Sequence, residues 1–243
     1  MINSAESVSG HPLLDSSSPV SVEGMTSVSV WFIDLNDIAL SDDTIDALLS
    51  SAERERSTRM RDRQQARLWC VIRASLRLRL AQRLCCCVSD IVFDSGEHGK
   101  PCCGDVPFNV SHSGDIGLLA LAHQTTASLQ IGVDVERLDR RQDVLSLARI
   151  VCSDHEYKAL SSLAEVDRDE AFTRTWTRKE SWLKARGVGL GFGATRVHVG
   201  IGEMQEPVIV DDVLDPHATL ADLPAPPGYA MAICCLSAEP LPR

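Results

Sequence analysis

The 243-residue chain contains no apolar run approaching the roughly 20 residues needed to cross a bilayer. Its first residues lack the basic segment and apolar core of a secretory signal. Aromatic residues are few, at 5%, whereas the hydrophobic content of 44% and the charged content of 24% are those of ordinary globular proteins. We therefore expect a cytoplasmic protein that has no membrane partner.

The nine cysteines lack the paired CxxC spacing that is typical of zinc sites. Seven of them stand in clumps of adjacent residues, which do not easily converge on one tetrahedral ion. The odd count also argues against a framework of disulfides. We interpret the cysteines as structural or incidental thiols.

Positive charge is scarce, because the net charge is −10 and only four residues are lysines. An acidic chain excludes a nucleic-acid-binding surface that covers the whole molecule, so we expect no nucleic-acid partner. Ten arginines nevertheless fall between residues 54 and 83, and apolar residues recur at helical spacing from Ser57 to Leu84. We predict a helix there that exposes most of its arginines to solvent.

The order of the predicted elements divides the chain into three parts. Residues 1–27 are rich in Ser and Gly and have no periodicity, which predicts a flexible polar extension. Residues 28–126 and 127–243 each contain helical patterns and short strand patterns bounded by Gly, Asp or Ser. We therefore predict an α+β protein built from an N-terminal and a C-terminal lobe of similar structure, with a ligand site between them.

Two carboxylates stand two residues apart in the strand pattern Ile131–Glu136. Side chains alternate between the faces of a strand, so Asp134 and Glu136 project together while the intervening apolar residues face the core. Such carboxylates repel each other unless a cation neutralises them, and hard oxygen ligands suit Mg²⁺. The pattern is also found on half-buried strands that have an acidic outer face, so alone it leaves metal binding open.

The segment Trp176–Lys184 places charged and aromatic residues on one broad helical stripe. Glu180 and Lys184 are neighbours at spacing i,i+4, which is also the spacing of an ordinary surface ion pair. They share their face with Trp176 and Phe172, which indicates that this face is not the solvated one. A metal ligand at Glu180 and a phosphate contact at Lys184 would explain the charges there.

A third pattern combines Gly99–Pro101 with the strand-like segment Phe108–Asp115, which ends in small hydroxyl residues, a histidine and a glycine. This composition suits close approach by phosphate oxygens. Ser111 and His112 could instead be a hydrolase nucleophile and its base. That interpretation is disfavoured because adjacent residues on a strand point apart and no GxSxG motif is present.

Together these segments resemble the Sfp-type 4′-phosphopantetheinyl transferases. The matching stretches are GEHGKP (96–101), FNVSHSG (108–114), GVDVE (132–136), WTRKESWLKARGVGL (176–190) and PPGYAMAICC (226–235). The resemblance implies a pseudo-twofold monomer with coenzyme A in the cleft between its lobes. It also implies Mg²⁺-dependent transfer of phosphopantetheine to a serine of an apo acyl or peptidyl carrier protein.

The resemblance further implies roles for individual residues. Asp134, Glu136 and Glu180 would bind Mg²⁺, or Mn²⁺, since oxygen ligands accept both ions. Lys184 would assist departure of adenosine 3′,5′-bisphosphate, and Glu156 would take the proton of the acceptor serine. The positions that would hold coenzyme A are Arg67, Arg73, Lys100, Ser111, His112, Lys179 and Lys184.

Two other functions use the same residue types. A metal-dependent nuclease also needs carboxylates and lysine, but the acidic composition disfavours it. A non-catalytic carrier-binding module of the same fold would have no need of a complete carboxylate triad. Both the transferase and the non-catalytic module would bind a carrier protein. In either of them, Arg59, Arg61 and Arg63 could offer an electrostatic dock for an acidic carrier protein.

Overall fold

The computed structural model describes residues 11–15, 17–20, 22, 25–95, 99–123, 128–138 and 143–237. The helices are α1 (Pro12–Asp15), α2 (Asp42–Asp46), α3 (Ser51–Thr58), α4 (Arg63–Leu84), α5 (Val144–Val151), α6 (Asp154–Ser162) and α7 (Glu165–Arg186). The strands are β1 (Ser18–Val20), β2 (Val28–Asp34), β3 (Asp94–Ser95), β4 (Pro101–Cys102), β5 (Phe108–Ser113), β6 (Ile116–Ala122), β7 (Leu129–Arg137), β8 (Val197–Ile201), β9 (Met204–Val210), β10 (Val213–Leu214), β11 (Ala218–Asp222) and β12 (Tyr229–Ser237). Helices and antiparallel strands intermingle along the chain, which confirms the predicted α+β class.

The four antiparallel strands β1-β2-β6-β5 form the first sheet, against which α4 packs. The two elements approach closely at Gly117 of β6, where a Cβ atom would lie 2.6 Å from the Ile72 side chain. Side chains alternate along β6, as its sequence predicts. Leu119 and Leu121 face an apolar core that includes residues of α4, which we call the α4 core. Leu118 faces a second core on the opposite side of the sheet. The first sheet therefore separates two apolar layers.

The strands β11-β12-β7 form the second sheet, and β10-β9-β8 form the third. Helix α7 has 22 residues, as α4 does, and packs against β7 and β12. Each 22-residue helix thus lies on an antiparallel sheet, in keeping with the expected pair of similar halves. The boundaries predicted at residues 27 and 126 stay predictions.

One glycine sets the distance between β7 and α7. A Cβ atom at Gly132 would lie 1.9 Å from the Ser181 backbone oxygen and 2.3 Å from the Ala185 nitrogen. Only glycine fits there, so the GVDVE segment approaches the helix backbone directly. This close approach brings the alternate residues Asp134 and Glu136 towards the helix face that carries Glu180 and Lys184.

The arginine-rich stretch differs from the prediction in two ways. It is not one helix, because α3 and α4 are separate helices with their own caps, Ser50 and Asp62. Several of its arginines are also buried. Arg73 and Arg77 both pair with the buried Glu53, at 2.8 and 3.2 Å, and Arg79 lies 3.8 Å from the centroid of the Trp31 ring. Periodicity alone could not show that aromatic rings and a buried carboxylate accompany these guanidinium groups.

The predicted flexible extension is partly ordered. Residues 1–10 lie outside the described residues, but α1 and β1 fall within the predicted extension, and β1 pairs with β2. Leu13 is fully buried in the α4 core, and Arg79 donates hydrogen bonds to Leu14 O and Ser17 Oγ. The polar composition of residues 1–27 gave no sign that Leu13 would be buried in the core. Across the residues that the structure describes, no helix is long and apolar enough to cross a membrane.

Candidate active site

The two carboxylates of β7 meet the small polar side chains of β5. Ser111 donates a hydrogen bond of 2.8 Å to Asp134 Oδ1, and Ser113 donates one of 3.0 Å to Glu136 Oε2. Two residues before Ser111 on β5, Asn109 accepts a bond of 2.9 Å from the Val133 amide. The strand β5 therefore fixes the carboxylates through side chains, although it belongs to a different sheet.

Helix α7 supplies the opposite wall. Lys184 Nζ lies 2.6 Å from Asp134 Oδ1 and 2.9 Å from Ser111 Oγ. Trp176 donates a bond of 3.3 Å from Nε1 to Glu136. Glu180 lies between these two residues on the helical stripe that the sequence predicted. The structure thus brings Asp134, Glu136, Glu180, Lys184 and Ser111 together.

The pKa values of the three carboxyl groups are raised, chiefly because the cluster is buried. Burial raises the pKa of Asp134, although Lys184 opposes the shift. Burial and the neighbouring Asp134 raise the pKa of Glu136. The same two causes raise the pKa of Glu180 to about 7. Three carboxylates in a poorly hydrated site favour a bound cation over ionisation without one.

Two oxygen atoms of this cluster fit a metal ion directly. Asp134 Oδ2 and Glu180 Oε1 are buried and have no hydrogen-bond partner. Buried polar atoms are otherwise nearly always bonded, so these two oxygens are free ligands. Mg²⁺ takes few carboxylates and fills its shell with water and phosphate oxygens, so the donor set fits this ion. The three carboxylates do not all lie within 4.8 Å of one another, and must therefore converge when they share an ion.

A cavity of about 540 Å³ opens beside this cluster. Ser111, His112 and Lys184 line one side, and Arg56 and Arg73 line the other. Desolvation and the charge of Lys184 lower the pKa of His112, which keeps its ring neutral near pH 7. Arg73 lies 3.8 Å from the centroid of the Phe93 ring. Arg56, one of the exposed arginines, was missed in the sequence because α3 was not recognised as a helix of its own.

Lys100 lies at the edge of the cluster rather than in this cavity. Its Nζ atom donates bonds of 2.9 Å to Ile131 O and 2.7 Å to Lys184 O, so it joins β7 to the end of α7. Burial, with a contribution from Lys184, lowers its pKa to about 8. Its neighbours Gly99 and Pro101 do line the cavity, whereas 96–98 of the GEHGKP stretch lie outside the described residues.

The structure does not bring Arg67, Lys179 or Glu156 to the cluster. Arg67 lies on another face of α4, where it pairs with Asp42 at 2.6 Å. Lys179 and Glu156 form an ion pair of 2.6 Å in which both side chains are fully buried. Glu156 also accepts bonds from the amides of Ser153 and Val199, so its oxygens are engaged by α6 and β8. A buried pair of this kind fastens α6 to α7.

Comparisons with known proteins indicate the family of the chain. The sequence model of the 4′-phosphopantetheinyl transferase superfamily matches residues 130–234, which include all three carboxylates and Lys184. The chain is 31% identical over 207 residues to the 4′-phosphopantetheinyl transferase ffp of Bacillus subtilis, and the alignment covers 82% of this chain and 88% of that protein. It is 34% identical over 169 residues to the 4′-phosphopantetheinyl transferase HetI of Nostoc sp., with coverage of 67% and 70%.

Other similarities are more limited. A relative from Synechocystis sp. is 35% identical over 156 residues, and the alignment covers 62% of each chain. Among solved structures, the holo-[acyl-carrier-protein] synthase of Thermotoga maritima overlaps 45% of this chain and 64% of its own, with 22% identity and a TM-score of 0.37. An overlap this loose supports no argument. The long alignments with ffp and HetI do, and they show that the chain belongs to the 4′-phosphopantetheinyl transferase superfamily.

Proposed function

We propose that the protein transfers the 4′-phosphopantetheine arm of coenzyme A to a serine of an apo acyl or peptidyl carrier protein. The proposal depends chiefly on one observation: the unpartnered oxygens of Asp134 and Glu180 lie next to Lys184, beside a cavity lined by arginines. Ligands of this kind suit a metal ion that must also bind a pyrophosphate. The superfamily membership supports the same activity.

Asp134, Glu136 and Glu180 are the residues we assign to a divalent metal, with Mg²⁺ favoured by their oxygen donors and Mn²⁺ accepted. When bound, the ion supplies positive charge to the pyrophosphate oxygens. Gly132 and the bonds from Ser111 and Ser113 hold two of the carboxylates in place before any ligand arrives. Such preorganisation is the main way in which proteins catalyse phosphoryl-type transfer.

The neighbouring cavity suits the nucleotide end of coenzyme A. Its 3′-phosphate carries about −1.5 to −2 charges at neutral pH, and Arg56 and Arg73 line that cavity. Guanidinium groups can bind phosphate through two parallel hydrogen bonds, which a lone lysine cannot do. Arg73 already pairs with Glu53 at 2.8 Å, so we assign the phosphate chiefly to the exposed Arg56. Ser111 and His112 add a hydroxyl and a neutral imidazole at the cluster side.

The reaction itself exchanges one P–O bond for another. The serine oxygen attacks the phosphorus atom of the phosphopantetheine, and the bond to adenosine 3′,5′-bisphosphate breaks. Lys184 neutralises the charge that develops on the leaving phosphate. The serine hydroxyl is a poor nucleophile at neutral pH, so its proton must pass to a carboxylate or to a water molecule at the cluster. Glu156, which the resemblance implied for this step, is enclosed with Lys179.

The experiment is to incubate the purified protein with coenzyme A, Mg²⁺ and an apo carrier protein, and to measure the intact mass of the carrier. We expect a gain of one phosphopantetheine, and its loss in EDTA and in Glu180→Ala. Glu165→Ala, which removes an exposed carboxylate from the first turn of the same helix, is the matched control and should stay active. No gain with several unrelated carriers, despite a folded protein, would instead support the non-catalytic carrier-binding module.

A further inference from the structure

Three residues with metal-binding side chains, from α6, β8 and β9, lie close together. His155 is the second residue of α6, His198 lies in β8 and Glu206 lies in β9. One potential ligand atom from each lies within 4.8 Å of the other two, and this is the one such trio among the residues that the structure describes. The carboxylate cluster uses none of these three residues.

A distortion of the third sheet brings the two strand residues together. The register of β8 and β9 shifts between His198 and Gly200, where β9 has the extra residues of a bulge. Gly200 has φ +84°, and a Cβ atom there would lie 2.1 Å from Met204 O. Pro207, which cannot donate to a ladder, lies within the bulge. As a result, His198 Nε2 lies 3.0 Å from Glu206 Oε2.

The two histidine rings are also arranged for a shared ligand. Their centroids are 5.3 Å apart, with an angle of 72° between the planes, so the rings meet edge to face. His198 is partly buried, whereas His155 is exposed. The trio borders a cavity of about 880 Å³, which gives a cation a path of entry. The other charged residues that line this cavity are of both signs: Asp154, Asp211, Asp212, Arg149, Lys158 and Arg196.

The other nitrogen of the His198 ring is already held. Nδ1 lies 3.1 Å from Ser153 Oγ and 3.5 Å from Glu156 Oε1. A metal-binding histidine characteristically directs its second nitrogen at a carboxylate or a hydroxyl, which fixes the ring and leaves the first nitrogen for the ion. Glu156 can therefore orient the His198 ring from behind, and Lys179 balances the charge of this carboxylate at 2.6 Å.

We propose that His155, His198 and Glu206 form a second metal site that binds a divalent transition metal, with Zn²⁺ as the expected ion. Two imidazoles and one carboxylate are a donor set that suits Zn²⁺, whereas Mg²⁺ prefers oxygen ligands alone. The bound ion would tie α6 to β8 and β9, next to the Glu156–Lys179 pair that fastens α6 to α7. A simple His198–Glu206 hydrogen bond would not require His155.

The test is to titrate the metal-free full-length chain with Zn²⁺ by calorimetry while excess Mg²⁺ occupies the carboxylate cluster. We expect one site whose affinity falls by more than about tenfold in His155→Gln and in Glu206→Gln, since loss of even an outer-shell partner costs ~10–100-fold. Zn²⁺ should also raise the melting temperature of the wild type and not of these variants. His155 is exposed, so its variant tests the site even if Glu206→Gln fails to fold.

Two control variants and a second metal distinguish this site from other groups that could bind Zn²⁺. His217→Gln removes an exposed histidine elsewhere, and Glu180→Gln removes a ligand of the carboxylate cluster, so both should keep the Zn²⁺ affinity. A titration with Co²⁺ tests whether thiols bind the metal in place of the trio, because thiolate ligands add an intense charge-transfer band to the Co²⁺ spectrum. The accessible thiols are those of Cys85, Cys86, Cys87 and Cys102. Unchanged Zn²⁺ affinity in His155→Gln, or a thiolate band in the Co²⁺ complex, would overturn the proposal. Absence of transferase activity in a wild-type protein that binds Zn²⁺ at this site would count against the proposed function only.

Discussion

At the scale of single residues, Glu180 illustrates the conflict between stability and binding. Its pKa is raised from 4.5 to about 7, so the folded chain without metal holds a proton that the unfolded chain releases between these values. Stability of the metal-free protein is therefore lost as the pH rises from about 4.5 to 7. The same ionisation is what a metal ion needs. Burial of the ionised Glu180 therefore destabilises the metal-free fold, whereas the same ionised carboxylate can bind a cation.

We therefore predict that Glu180→Gln is more stable than the wild type at pH 8 without metal, and that the difference shrinks towards pH 5. Each kcal/mol corresponds to about 2–4 °C in melting temperature for a chain of this size, so thermal unfolding at several pH values can measure it. Saturating Mg²⁺ should stabilise the wild type and not the variant. If the difference in stability between the two proteins does not change with pH, the pKa of Glu180 is not raised by burial.

Most of the residues at the cluster could be predicted from sequence, and the exceptions have physical reasons. The two-residue spacing of Asp134 and Glu136 and the four-residue spacing of Glu180 and Lys184 fix a face on a regular strand and helix. Glu156 and Lys179 have the same residue types, but a charged side chain gives no sign in sequence of the partner that will enclose it. The 2.6 Å pair between them arises from the packing of α6 on α7.

At the scale of elements, α1 shows the limit of composition as a guide. The segment around it is polar, yet Leu13 is 0% exposed and belongs to the core under α4. Four helical residues can be held by a single buried side chain and by the bonds from Arg79 to Leu14 and Ser17. A flexible segment and an anchored one differ here by one leucine.

We predict that Leu13→Ala lowers the free energy of unfolding by about 2–5 kcal/mol, the usual range for a buried leucine. Urea unfolding would measure it. Val92→Ala is the matched control, since Val92 is 66% exposed and should change stability by less than about 0.5 kcal/mol. An effect at Leu13 as small as that of the control would mean that the segment before β2 is flexible in solution, as the composition predicts.

At the scale of the whole molecule, the acidic chain carries a local cluster of positive charge. The net charge is −10, but Arg59, Arg61 and Arg63 are all exposed at the junction of α3 and α4. Complementary charge mainly raises the rate of association, and it is screened by salt. This junction is the surface on which we expect an acidic carrier protein to dock. The buried arginines of α4 take no part in it.

We predict that reversing the three charges (Arg59→Glu, Arg61→Glu, Arg63→Glu) raises the KM for the carrier at low salt, leaves the KM for coenzyme A nearly unchanged, and matters less at high salt. Steady-state kinetics at two ionic strengths would measure this. Lys158→Glu, which reverses an exposed charge on α6, is the control. A carrier KM that is unaltered at low salt would exclude this docking surface.

The side-chain bonds between β5 and β7 also constrain how such a protein can be recombined. Asn109, Ser111 and Ser113 each bond to β7, at Val133, Asp134 and Glu136, although the two strands lie in different sheets. A backbone ladder accepts almost any sequence, whereas these bonds require particular side chains on both strands. A chimera of two relatives joined between β6 and β7 takes these two strands from different parents, so it would keep both sheets and still assemble a faulty site wherever the parents differ at these positions.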